Sequence, residues 1–128
     1  MIQAHELRIG NYVEDRFDVK NIQIRPLDID DFTAIANYQR SNHPFPYMPV
    51  SLTPDILLKC GAVKDIVSGW NFELMDGSCR MLEIEKWSTI EKYSFSFVGS
   101  DFISNCKYVH QLQNLYFVLT GEDLKIQL

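Results

Sequence analysis

Three stretches between residues 70 and 99 alternate strictly between apolar and polar or small positions. WNFELM (70–75) sets Trp70, Phe72 and Leu74 on one side. CRMLEIEKW (79–87) sets Leu82 and Ile84 against Glu83, Glu85 and Trp87. KYSFSFVG (92–99) sets Tyr93, Phe95 and Phe97 against Ser94 and Ser96. A period of two marks strands with one buried face, and connections this short suit antiparallel neighbours. Asp76-Gly77 is a hairpin turn pair between the first two. DFISNC (101–106) leads onward. A meander of this kind needs another layer to cover its apolar face.

The end of the chain supplies that layer. YVHQLQNLYFVLTGEDLKIQL closes it from residue 108, and the spacing predicts a helix from about Lys107 to Thr120. Asn105 is the candidate N-cap and Gly121 follows the last turn. Tyr108, Val109, Leu112, Leu115, Tyr116, Val118 and Leu119 share one broad arc, the expected core face. His110, Gln113, Asn114 and Phe117 line the opposite side. From Tyr108 to Gly121 there is no charged residue, although a face in open water normally carries Lys and Glu. Two readings follow. Either the chain covers this flank itself, or Phe117 is an interface anchor ringed by hydrogen-bonding neighbours. LKIQL (124–128) alternates and reads as a closing strand.

Upstream, ELRIGNYVED suggests a strand around residues 7–14, with Leu7, Ile9 and Val13 facing inward. FDVKNIQI (17–24) alternates Phe17, Val19, Ile22 and Ile24 with one slip, as a bulged strand would. DIDDFTAIANYQ (28–39) reads as a short helix capped by Asp28. RSNHPFPYMP (40–49) reads as a loop, since Pro44, Pro46 and Pro49 remove backbone donors. SLTPDILLKCGAV (51–63) carries a helix over 54–60. Thr53 caps it, Pro54 opens it, Gly61 ends it, and Ile56, Leu57 and Cys60 form its apolar face. The expectation is one α+β domain over residues 1–128. An antiparallel meander sheet packs against a C-terminal helix, with a short middle helix and a small N-terminal β unit within 1–50.

At 128 residues, with 46% hydrophobic and 23% charged residues, the chain can bury a core and is not a disordered type. A net charge of −5, with Lys and Arg scattered, weighs against nucleic acid and anionic lipid as partners. The acidic runs EDRFD (14–18) and DIDD (28–31) read as solvated faces. No stretch approaches a membrane span, and the first residues lack the pattern of a signal peptide. Cys60, Cys79 and Cys106 are odd in number and far apart, which suits reduced, buried thiols of a cytosolic protein. His5, His43 and His110 lack metal-ligand spacing, and no nucleotide-binding, hydrolase or metalloprotease motif occurs. No cofactor and no catalytic residue is indicated.

Three stretches, ELRIGNYV, LTPDILLKCGAV and YVHQLQNLYFVLTGEDL, occur in this order in a family of small proteins encoded in Bacteroidetes genomes, often in prophages or other mobile elements. The chain resembles that family across about two-thirds of its length. The middle motif departs mildly at Pro54–Asp55, where a second acidic residue is usual, and at Ala62, often Phe. The resemblance implies a cytosolic protein of gut-type bacteria or their phages, and it carries over no catalytic residue. The binding candidates are His110, Gln113, Asn114 and Phe117, inside the terminal motif.

The expected function is a non-enzymatic interaction or accessory module that binds a protein partner or a second copy of itself. One alternative is a small enzyme or ligand-binding domain with a pocket near the Pro-rich loop, using His43, Tyr47 or Trp87. Another is a nucleic-acid module using Tyr93, Phe95 and Phe97, which the acidic balance disfavours.

Overall fold

The computed structural model describes residues 2–41, 46–65, 69–73, 81–86, 93–97, 102–126 and 128, and the chain divides into two units, Met1–Val50 and Ser51–Leu128. The fold class is α+β. His43, Phe45, Leu74, the Asp76-Gly77 turn, Cys79 and Trp87 lie outside the described residues.

In the first unit a 3-10 turn (Ala4–Glu6) precedes β1 (Tyr12–Asp15), β2 (Gln23–Pro26), α1 (Ile29–Ser41) and β3 (Tyr47–Pro49). The strands form an antiparallel sheet in the order β2-β1-β3. Val13 stands opposite Arg25 and Pro49, and Asp15 opposite Gln23 and Tyr47, so these residues share one face. Ile2, Leu7, Val13, Leu27, Ile35 and Tyr47 make the core, with Ala4 and Phe32 against it.

The predicted strand over 7–14 starts only at Tyr12. Residues 9 and 10 turn instead, and Ile9 is exposed rather than inward. The strand predicted over 17–24 shrinks to Gln23–Pro26. Its cause is local. The Asp15 carboxylate accepts from the Phe17 N–H at 2.9 Å, and the Asp18 carboxylate from the Lys20 N–H at 3.0 Å. Aspartate side chains that bond backbone two residues on give the chain turns in place of a ladder. Phe17, Val19, Ile22 and Ile24 are therefore exposed on the hairpin that joins β1 to β2. The Pro-rich segment is not wholly loop either. Pro49 sits in β3, an edge strand, where a missing donor is tolerated.

The second unit holds α2 (Pro54–Lys59), β4 (Val63–Asp65), β5 (Gly69–Glu73), β6 (Met81–Lys86), β7 (Tyr93–Phe97), β8 (Phe102–Cys106) and α3 (Val109–Thr120). The strands form an antiparallel meander in sequence order. The register sets Trp70, Ile84 and Phe95 in one cross-strand row and Phe72, Leu82 and Phe97 in another, as the alternation requires. The strand β4 had no signal of its own, being too short to show a period. Residues 124–126 and 128 carry no strand, against the expectation for LKIQL. Before α2, the Leu52 N–H bonds the Lys107 carbonyl at 2.9 Å, and Ser51 bridges Tyr108.

Both ends of α2 follow from sequence. The Thr53 hydroxyl accepts from the Ile56 N–H at 3.2 Å. At the other end the Ala62 N–H bonds the Leu57 carbonyl and the Gly61 N–H bonds the Leu58 carbonyl, both at 3.0 Å. This paired closure needs a left-handed residue between, which Gly61 supplies at φ +91°. Gly121 ends α3 likewise at φ +74°, its N–H on the Phe117 carbonyl at 2.7 Å. A Cβ at either glycine would meet nothing within 4 Å. Gly61→Ala and Gly121→Ala therefore test backbone strain alone. Each should lower stability in urea unfolding by about 1 kcal/mol.

Candidate functional site

The helix α3 begins one turn of chain after β8. The Gln111 side chain reaches back from the first turn, and its amide oxygen accepts from the Lys107 N–H at 2.8 Å and the Tyr108 N–H at 3.1 Å just ahead of the helix. Tyr108 is the N-cap, not Asn105, which lies in β8. The Tyr108 ring stacks on His110, centroids 5.8 Å apart and planes 10° apart, and the Lys107 ammonium lies 5.5 Å from the same ring. This cation–ring–ring stack holds the helix entrance.

The buried positions of α3 are Val109, His110, Leu112, Gln113 and Tyr116. The buried arc is thus turned from the expected one by most of the ~100° step between successive residues. Val118, assigned to the core, is 79% exposed, while Leu115 and Leu119 are half-buried. His110 and Gln113, assigned to the opposite flank, are enclosed, and neither is without an interaction partner. Polar groups can be buried when the fold satisfies them, and a wheel built on hydrophobicity alone misses this. Of the four candidates, Asn114 is half-buried and Phe117 is 38% exposed. The surface feature of α3 is therefore Phe117 with Val118, not the full stripe of four.

Acid–base or nucleophilic chemistry finds little footing among the described residues. Cys106 ends β8 and is buried, as is Cys60. Burial pushes both thiols up to about 12, the opposite of an activated nucleophile. Among these residues no group of three or more His, Cys, Asp or Glu could hold a metal ion. Among the described residues no helix is long and apolar enough to cross a membrane. Tyr93, weighed as a stacking platform for nucleic acid, is buried.

The densest polar cluster lies in the first unit, where Asp28 and Asp31 cap α1 reciprocally. The Asp31 N–H bonds the Asp28 carboxylate at 3.1 Å, and the Asp28 N–H bonds that of Asp31 at 2.8 Å. Arg25 on β2 grips Asp31 with two bonds of 2.8 and 2.6 Å and reaches Asp15 at 2.8–2.9 Å. The Tyr47 hydroxyl donates to Asp31 at 2.8 Å. Arg25 first, then the Asp28 N–H and Tyr47, hold the Asp31 carboxyl well below the usual carboxylate range. The Tyr47 hydroxyl is pushed up by burial and by Asp31. A carboxylate with four donors and such a low pKa is a poor proton acceptor or donor at neutral pH. Tyr47 is likewise committed to this network rather than free to line a ligand pocket.

No protein-family model, curated protein or solved structure matches the chain.

Two measurements check this assignment. Because the folded pKa of Asp31 is depressed, its stabilisation is present above about pH 4, the unfolded value, and is lost as pH falls towards the folded one. Asp31→Asn should cost about 2 kcal/mol at neutral pH and flatten the acid limb of the stability curve. In a Cys79→Ser background, the native thiols should react with a disulfide reagent at neutral pH roughly a thousandfold slower than free cysteine, from thiolate fraction alone. Denaturant should restore the rate.

Proposed function

We propose that this chain is a non-enzymatic protein-interaction module that meets a partner protein at the far end of α3, around Phe117 and Val118. The observation that carries the reading is an uncharged helix ending with two adjacent large apolar residues in the open. An aromatic anchor on a helix without charged residues costs little to desolvate, and such residues dominate contact energies. Half-buried Asn114, one turn before Val118, supplies a polar rim.

The proposed setting is the cytosol of a bacterium, as an accessory protein of a mobile element. The three motifs ELRIGNYV, LTPDILLKCGAV and YVHQLQNLYFVLTGEDL support that setting, as do two buried, unbridged cysteines.

A photo-crosslinking residue at Val118, introduced in the host cell, should give one discrete adduct. The same residue at exposed Asp55 should not. Phe117→Ala should leave the purified protein folded and remove the adduct. No adduct at Val118, or a Phe117→Ala protein that unfolds, would remove α3 as a docking surface.

A further inference from the structure

The helices α1 and α2 close their own C-terminal ends. In α1 Arg40 stands in the last turn, and the Ser41 hydroxyl donates to the Asn37 carbonyl at 2.8 Å and the Tyr38 carbonyl at 3.3 Å. In α2 Lys59 stands in the last turn, and the Gly61 and Ala62 N–H groups take the Leu58 and Leu57 carbonyls. Helix α3 ends differently. It has no basic residue in its last turn, and the Gly121 N–H serves the Phe117 carbonyl alone. The next N–H, that of Glu122, turns to the Thr120 hydroxyl at 3.1 Å instead of to a helix carbonyl. Among the described residues no donor reaches the Val118, Leu119 or Thr120 carbonyls.

Those carbonyls carry the negative pole of the helix, about half an elementary charge. Glu122 and Asp123 follow them directly and are exposed. The Thr120 hydroxyl pins Glu122 against the last turn, accepting from its N–H and donating to its carbonyl at 3.3 Å. Lys125, also exposed, returns one positive charge but makes no bond to the carbonyls. The end of α3 is therefore negative, within a chain of net charge −5, and it is the end that shows Phe117 and Val118.

Sign and shape select the occupant. Phosphates of nucleic acid or anionic lipid are repelled here. Unserved carbonyls call for N–H donors, and the acid beside them calls for a cation. A guanidinium supplies both, with five donors in a planar fork, a permanent charge and weaker hydration than an ammonium. Its apolar stem can lie along Val118 while the head reaches the carbonyls. Arginine is also enriched, with the aromatic residues, among the anchors of protein contacts.

We propose that the partner protein docks on the end of α3 through an arginine, whose guanidinium donates to the carbonyls that end the helix, beside Glu122, while apolar neighbours of that arginine cover Phe117 and Val118. This rests on α3 being a docking surface and names the chemistry that the surface takes.

A blocked peptide, Ala-Leu-Arg-Leu-Ala, titrated into the full chain and followed by amide chemical shifts, tests it. Shifts should centre on residues 118–123. The same peptide with Gln in place of Arg should bind about tenfold more weakly, the difference that a charged donor makes. E122Q should weaken the Arg peptide about threefold, as loss of an exposed charge pair does. Raising NaCl from about 50 to about 500 mM should weaken it as well. The Glu122 side chain is exposed, so E122Q should melt as the wild type does, and the Gln peptide needs no variant at all. The photo-crosslink at Val118 separates the two readings. An adduct lost in E122K supports the arginine. An adduct kept in E122K, or two peptides that bind alike at α3, would overturn the arginine and leave α3 as a docking surface. No adduct in the unaltered chain, with no shifts at α3, would remove both.

Discussion

One carboxylate holds the first unit together. Asp31 takes two hydrogen bonds from Arg25 on β2, one from Tyr47 at the start of β3 and one from the backbone that opens α1. It thus joins both edge strands to the helix, while β1 enters through Asp15 on the same guanidinium. An ion pair with one partner buried and the other partly exposed is not a large net source of stability, since desolvation of Asp31 and solvent screening at Arg25 offset much of the attraction. Its effect is on uniqueness. Slipping β2 by one residue would turn Arg25 to the other face and leave Asp31 unpaired, so the register of a short sheet becomes expensive to change. The run DIDD, which reads as a solvated face, thus contains the most committed acid among the described residues.

Signals that act within a few residues were the legible ones. Thr53, Pro54 and Gly61 each carry a local backbone preference, and α2 begins and ends where they place it. The alternation of WNFELM, MLEIEK and YSFSF translated directly into a meander. Signals that need knowledge of what lies opposite were not legible. The alternation of Phe17, Val19, Ile22 and Ile24, with its one slip, reads like that of a bulged, half-buried strand. Two aspartates nonetheless divert the backbone, and no layer covers the side chains. Periodicity shows that residues share a side, not that the side is inside.

The same lesson holds for α3. Hydrophobicity alone places His110 and Gln113 outward, whereas the fold buries both. Enclosing them brings Val118 to the surface, since the rotation that buries one flank exposes another. The exposed apolar residues of α3 are Phe117 and Val118, in its last turn, and His110 and Gln113 are buried.

The bond from Leu52 to the Lys107 carbonyl, with the bridge from Ser51 to Tyr108, closes a loop containing α2 and the whole meander. Closing a loop of that length costs on the order of 3–4 kcal/mol of chain entropy before any long-range contact forms. During synthesis the first unit has all its strands once Pro49 has left the ribosome, whereas the second cannot close until Lys107 has followed. The two units are born in sequence, and the aromatic-rich meander must wait, unfinished, until Lys107 and Tyr108 have been made.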